Sequence, residues 1–313
     1  MRLLNPRGSD LSDKPKSRWL LVIFVFVGIV LITVTAYCIF RGRTVSVYEA
    51  HYPVSKVIQY RVSVRNNANQ YREKPTLSLV LPLAKTSSQR VQEFQVSAPY
   101  SVHSGPGESR IAHLELDGLA PYAARELTVR VMLTMAAEPN KQPLVSAENF
   151  LSPEAYIESS DPQIQKMAAR LKRRTPQDSA RAIYDYVLNH LNYAGYIQSP
   201  QGALWALKNR RGDCTEYAQL VTALARAQGI PARVVSGFVV AGNATLKAEN
   251  LHNWAELYID EAWQIVDAQK RQFFTHSADY VAFSLINPAL NDGLMTHPDQ
   301  LLNASTGLDA VLH

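Results

Sequence analysis

Hydrophobic and polar positions change rhythm along this chain. An unbroken apolar run fills residues 19–40, alternation with a period of two dominates residues 44–140, and mixed helical and strand periodicities follow in residues 151–275. The first run has 22 residues and no charged side chain. As a helix it would reach roughly 33 Å, enough to cross a hydrocarbon core of about 30 Å, so it predicts an N-terminal transmembrane helix. A cleaved signal peptide fits less well, because the run exceeds the roughly 7–15 apolar residues of such segments and Ala36-Tyr37-Cys38 offers no small-x-small cleavage site. Arg2, Arg7, Lys14, Lys16 and Arg18 precede the run, whereas only Arg41 and Arg43 follow it closely. That bias predicts a cytoplasmic tail over residues 1–18 and an exported remainder.

Alternating runs at residues 56–64, 76–81, 111–116 and 126–133 are separated by Asn, Pro, Gly and Ser turns, which predicts a β-sandwich domain. It reads first as a packed domain beside the membrane and second as a spacer or substrate-positioning module. Farther on, Asp161-Pro162 caps a helix running to about residue 174, and Thr175-Pro176-Gln177-Asp178 opens another. The second helix has an apolar face of Ala180, Ile183, Tyr184, Val187 and Leu191. A short helix at 200–207 follows. Gly212-Asp213 then makes a turn and N-cap for a helix over 214–227, closed by Gly229 and Pro231. Strands come last, at 233–240 and in two runs on either side of Asp260-Glu261. Helices followed by an antiparallel sheet make an α+β core. Residues 276–313 form a C-terminal extension with no assigned role.

The 313 residues, 47% of them hydrophobic, are enough for two domains beyond the anchor. The net charge of +5 is spread thinly, and no basic patch interleaved with aromatics points to nucleic acid. His51, His103 and His113 lack neighbours at metal-ligand spacing, and no Asp-rich calcium loop occurs. Neither a metal nor a cofactor is expected.

Of two cysteines, Cys38 lies in the apolar run, so Cys214 is a free thiol. A free cysteine is most often a small buried hydrophobe. At a helix N-terminus, however, unpaired N–H groups and the dipole favour a thiolate, and a setting shared with histidine predicts a pKa lowered to roughly 3.5–7.5. Such a nucleophile needs a base and an orienting acid. His252 and Asp267 supply the types. With Asp260-Glu261 as a two-residue hairpin turn, Trp254 stands opposite Asp267, and His252 becomes the diagonal neighbour of Asp267, about 7–8 Å away. A three-residue loop would put them on opposite faces.

The blocks Gly-Asp-Cys-Thr-Glu-Tyr-Ala at 212–218, Ala-Gln-Gly-Ile-Pro-Ala-Arg-Val-Val-Ser-Gly-Phe at 227–238, His-Asn-Trp-Ala-Glu at 252–256 and Trp-x-x-x-Asp at 263–267 resemble the bacterial branch of the transglutaminase-like superfamily. The resemblance implies a papain-like catalytic core, with Cys214 as nucleophile, His252 as general base and acid, and Asp267 as its orienting residue. Tyr193 stands where many bacterial members carry an aromatic, which makes it a possible oxyanion donor beside the Cys214 backbone N–H. The implied protein is a single-pass inner-membrane enzyme with a periplasmic catalytic domain. Its acyl-enzyme on Cys214 would hydrolyse a peptide or amide, or pass the acyl group to an amine. Alternatives are an acyltransferase or amide synthase using a small acyl thioester, and a non-catalytic envelope module that binds peptides.

Overall fold

A computed structural model describes residues 50–105, 108–286 and 301–313. The apolar run at 19–40 and the tail before it, with the topology expected of them, lie outside the described residues. Among the described residues no helix is long and apolar enough to cross a membrane. Ala50–His313 forms one compact unit.

Six strands come first: β1 (Val54–Asn66), β2 (Thr76–Leu81), β3 (Gln89–Val96), β4 (Tyr100–Ser104), β5 (Arg110–Glu115) and β6 (Ala124–Met135). β1 and β6 pair antiparallel from Val54↔Met135 to Arg65↔Ala124, and β3 lines the far side of β6. β2 and β5 pair in a second sheet with β4 at its edge. Alternate residues of each strand point the same way, so Ile58, Tyr60, Val62, Leu77, Leu79, Leu114, Val129 and Val131 share one apolar cluster drawn from both sheets.

The middle of the chain folds as α1 (Pro162–Leu171), α2 (Pro176–His190), β7 (Asn192–Tyr193), α3 (Ala203–Asn209), β8 (Arg211–Gly212) and α4 (Cys214–Ala227). The expected caps are in place. Asp161 accepts from the Gln163 N–H at 2.8 Å and Thr175 from the Asp178 N–H at 3.1 Å, each followed by a proline whose missing N–H costs nothing there. α1 stops before residue 174 because Lys172 is already extended, with ψ 135°.

The remaining strands are β9 (Ala232–Val239), β10 (Ala244–Thr245), β11 (Leu251–Ile259), β12 (Ala262–Asp267), β13 (Gln272–Phe273), β14 (Tyr280–Ile286), β15 (Leu302–Ala304) and β16 (Leu308–Leu312). Five of them make a sheet in the order β13-β12-β11-β9-β14. α4 covers one face, where Leu220, Val221 and Leu224 share a cluster with Val234, Ala255, Leu257 and Val266. Asp260 and Glu261, with φ of 53° and 63°, form the two-residue turn between β11 and β12. The resulting register, Ala255↔Val266 through Ile259↔Ala262, is the one that makes His252 and Asp267 diagonal neighbours.

The segment after residue 275 is woven into both halves. β14 completes the second half's sheet beside β9, β15 pairs with β2, and β16 pairs with β1. Gln89, fully buried, locks the halves together: its Nε2 donates to Leu83 O at 2.7 Å and Ala282 O at 3.0 Å, and its Oε1 accepts from the Ala282 N–H at 2.8 Å.

Candidate active site

The chain enters α4 through a reciprocal cap. Asp213 Oδ1 accepts from the Thr215 N–H at 2.7 Å and Oδ2 from the Ile197 N–H at 3.0 Å. Glu216 Oε2 accepts from the Asp213 N–H at 3.0 Å and Oε1 from the Gln201 N–H at 2.9 Å. This capping box satisfies donors that a helix start leaves open. It requires glycine at 212, because a Cβ there would lie 2.4 Å from Glu216 Cβ.

Cys214 is the first residue of the helix. It reaches a cavity of about 350 Å³ that is also lined by Tyr193, Thr245, Asn250, His252, Gln269 and Lys270, although most of its own surface is covered. The expectation of an acidic thiol is corrected here. Burial pushes the Cys214 thiol up to about 12, and the nearby Asp213 and Asp267 carboxylates act in the same direction. Hydrogen bonds from the Asn253 N–H and the Thr215 side chain offset only part of this. The helix start offsets little of this, since the Thr215 N–H already donates to Asp213 and the Asp213 N–H to Glu216.

His252 on β11 and Asp267 at the end of β12 meet behind the cavity, with Nε2 2.6 Å from Asp267 Oδ2. Oδ2 also accepts from the Tyr280 hydroxyl at 2.9 Å, and Oδ1 from the Lys270 N–H at 3.0 Å. Burial alone would raise the Asp267 pKa. The His252 hydrogen bond and charge, with the Lys270 N–H and Tyr280 hydroxyl, win and hold it below the usual carboxylate value. An ionised Asp267 can only accept, so Nε2 carries the proton and Nδ1 is left as the basic nitrogen. The imidazole stacks against Trp254, 22° between planes and 6.3 Å between centroids. Across β9 it pairs with Gly237, where a Cβ would lie 2.0 Å from Val281 O.

The structure therefore places Cys214, His252 and Tyr193 on one cavity, with Asp267 behind the histidine. The short β7 and β8 ribbon pairs Tyr193 with Gly212, two residues before the thiol. Burial, then the fields of Cys214 and Asp213, push the Tyr193 phenol up, which keeps it a proton donor. Sequence reasoning missed Asn253 and Tyr280. Asn253 sits inside a quoted block, and its Nδ2 holds Thr215 Oγ1 at 2.9 Å; adjacency to His252 was its signal. Tyr280 had none. Among the described residues no group of three or more His, Cys, Asp or Glu is arranged to hold a metal ion.

The carboxylates carry a pH signature. The folded pKa of Asp267 lies below its unfolded value, so its contribution to stability is present above roughly pH 3.9 and lost as pH falls through the folded value. Glu216 runs the other way. Burial first, then the Asp213 charge, outweigh its N–H donors and push it to about 7, so its contribution is fullest below its unfolded value of roughly 4.3 and fades as pH rises toward 7. Melting temperatures of Glu216→Gln and wild type, compared from about pH 4 to 8, should show a flatter decline in the variant. Parallel curves would place that titration elsewhere.

Residues 165–268 match the model of the transglutaminase-like superfamily. No curated protein matches the sequence. Among solved structures, the chain is similar to a proposed cysteine protease from Cytophaga hutchinsonii at 20% identity, covering 83% of this chain and 90% of that one with a TM-score of 0.52. The two share a fold. The periplasmic domain of TgpA from Pseudomonas aeruginosa aligns at 16% identity over 67% of this chain and 89% of its own, with a TM-score of 0.36. A proposed protease from Parabacteroides distasonis aligns at 15% identity over 75% and 48%, with a TM-score of 0.32. Over residues 165–268, this chain carries the α+β core of the transglutaminase-like superfamily.

Proposed function

We propose that this protein is a thiol enzyme that forms an acyl-enzyme on Cys214. The observation that carries the reading is the shared cavity of Cys214 and His252, with His252 Nε2 fixed 2.6 Å from Asp267. Cys214 Sγ attacks a carbonyl carbon and forms an S–C bond, while its proton passes to His252 Nδ1. As the tetrahedral centre collapses, the C–N or C–O bond breaks and His252 returns that proton to the leaving group. Water or an amine then attacks the thioester, releases an acid or a new amide, and restores the thiol. In this reading the Cys214 backbone N–H donates to the oxyanion, and the Tyr193 hydroxyl on the same cavity is the candidate second donor.

Thr245, Glu249, Asn250, Gln269 and Lys270 make the cavity wall largely polar. A polar wall suits a peptide better than a long acyl chain, so peptide hydrolysis is the leading reaction and transfer to an amine the next. The N-terminal two-sheet region is read as a β-sandwich, and residues 19–40 as the anchor that holds the enzyme at the outer face of a bacterial inner membrane.

The test uses p-nitrophenyl acetate, a small activated acyl donor, on the full chain. Intact mass spectrometry should find one acetyl group on wild type and none on Cys214→Ala. Equal labelling of both would sink the thiol assignment. One observation favours a non-catalytic peptide-binding module instead, namely the thiol pushed up to about 12. Peptide binding by wild type without any acyl adduct would favour that module.

A further inference from the structure

Lys56 of β1 is a charged residue inside the protein, only 2% exposed. Its Nζ donates to Ala278 O at 2.6 Å and to Val240 O, and lies 3.6 Å from Asp279 Oδ1. Both carbonyls lead into the Cys214 site. Val240 opens the segment 240–251, which supplies Thr245, Leu246, Glu249 and Asn250 to the cavity wall. Two more bonds from β1 hold that segment: Val57 N–H donates to Asn243 Oδ1 at 2.8 Å, and Gln59 O accepts from the Leu246 N–H at 2.7 Å. They flank the parallel pairing of Ile58 with Ala244. On the other side, Ala278 and Asp279 immediately precede Tyr280, the residue whose hydroxyl seats Asp267. Asp279 O also accepts from the Val240 N–H at 2.8 Å, which closes the circuit.

We infer that Lys56 is a positioning residue for the Cys214 site, and that β1 builds the substrate wall through it. The inference rests on the proposed thiol chemistry. If the ammonium only glued two halves together, a well-packed apolar side chain of similar length would do as well, since buried charges are often replaceable in that way. What an apolar chain lacks is direction. Only a multiple donor can hold Val240 O and Ala278 O at once, and so fix the wall and the Tyr280 backbone relative to each other.

The experiment compares full-length wild type, Lys56→Met and Leu114→Ala. Leu114 is a buried residue of the N-terminal sheets, and its truncation lowers stability without removing a hydrogen bond of the tether. All are assayed well below their melting temperatures with p-nitrophenyl acetate and with the p-nitrophenyl ester of an N-acetyl dipeptide. Lys56→Met should lower the acylation rate about 10- to 100-fold, with a further rise in KM for the peptide ester, because displacement of about an ångström at a reacting site has effects of that size. Leu114→Ala should stay within about twofold of wild type, because every hydrogen bond of the tether remains in place. Equal rates in Lys56→Met and Leu114→Ala would overturn the inference.

If Lys56→Met does not fold, Asn243→Ala, at an exposed position, tests the wall alone. It should raise KM for the peptide ester by a larger factor than it lowers the p-nitrophenyl acetate rate; an unchanged KM counts against the wall's tether. Amide hydrogen exchange across 240–251 and 278–286 reads the tether without any chemistry. Exchange should quicken in Lys56→Met, or across 240–251 in Asn243→Ala, but not in Leu114→Ala. An inert wild-type thiol would thus defeat the proposed reaction, whereas unaltered exchange would defeat the tether.

Discussion

Asp267→Asn is expected to slow acetylation of Cys214 by p-nitrophenyl acetate roughly ten-thousand-fold at neutral pH, the scale on which loss of an orienting carboxylate acts in such triads. The cause is proton placement. An ionised Asp267 obliges His252 to carry its proton on Nε2, at 2.6 Å from Oδ2, and so keeps Nδ1 basic. An asparagine can offer an N–H to Nε2 instead, which moves the imidazole proton to Nδ1 and leaves nothing to accept the thiol proton. Circular dichroism should be unchanged, because the amide still fits among the Lys270 N–H and the Tyr280 hydroxyl. Tyr280→Phe should cost much less, since it leaves the His252 to Asp267 bond intact. An Asp267→Asn rate within about tenfold of wild type would mean that His252 in this tautomer is not the base.

How far the sequence could be read depended on whether a residue's partner lay nearby in the chain. Helix starts were legible because their chemistry is local: Asp161, Thr175 and Asp213 each bond an N–H two or three residues ahead. The His252 and Asp267 pairing was legible for the same reason, because one turn at Asp260-Glu261 fixes the register between them. β1, β2, β5 and β6 could be read from alternation. β3 and β4 could not, since β4 buries none of its residues and β3 only Gln89, leaving no apolar stripe. β14, β15 and β16 escaped because their partners lie far back in the chain, on β9, β2 and β1. With them went Tyr280 and the role of Lys56. The thiol's acidity was misjudged for a different reason: helix position can be read from sequence, but the burial of Cys214 and its neighbouring carboxylates belongs to the folded structure.

That misjudgement leads to the second large effect. In the resting protein, Cys214 should react with iodoacetamide about three orders of magnitude more slowly at neutral pH than an unperturbed thiol of pKa about 8.5, because the thiolate is the nucleophile. The sign follows from burial. A thiol pushed up to about 12 stays protonated through the neutral range, so alkylation should climb about tenfold per pH unit with no plateau below about pH 10. Acetylation by p-nitrophenyl acetate need not follow that curve, since His252 can take the proton while the S–C bond forms. Asp213→Asn separates the causes: asparagine can still accept from the Thr215 N–H as a cap, yet it removes a carboxylate that raises the thiol. Its alkylation curve should shift to lower pH even as melting falls, because the Ile197 N–H loses the oxygen it donates to. A wild-type plateau below about pH 8.5 would instead reveal a preformed thiolate and imidazolium pair, and with it a site whose charges are arranged before the substrate arrives.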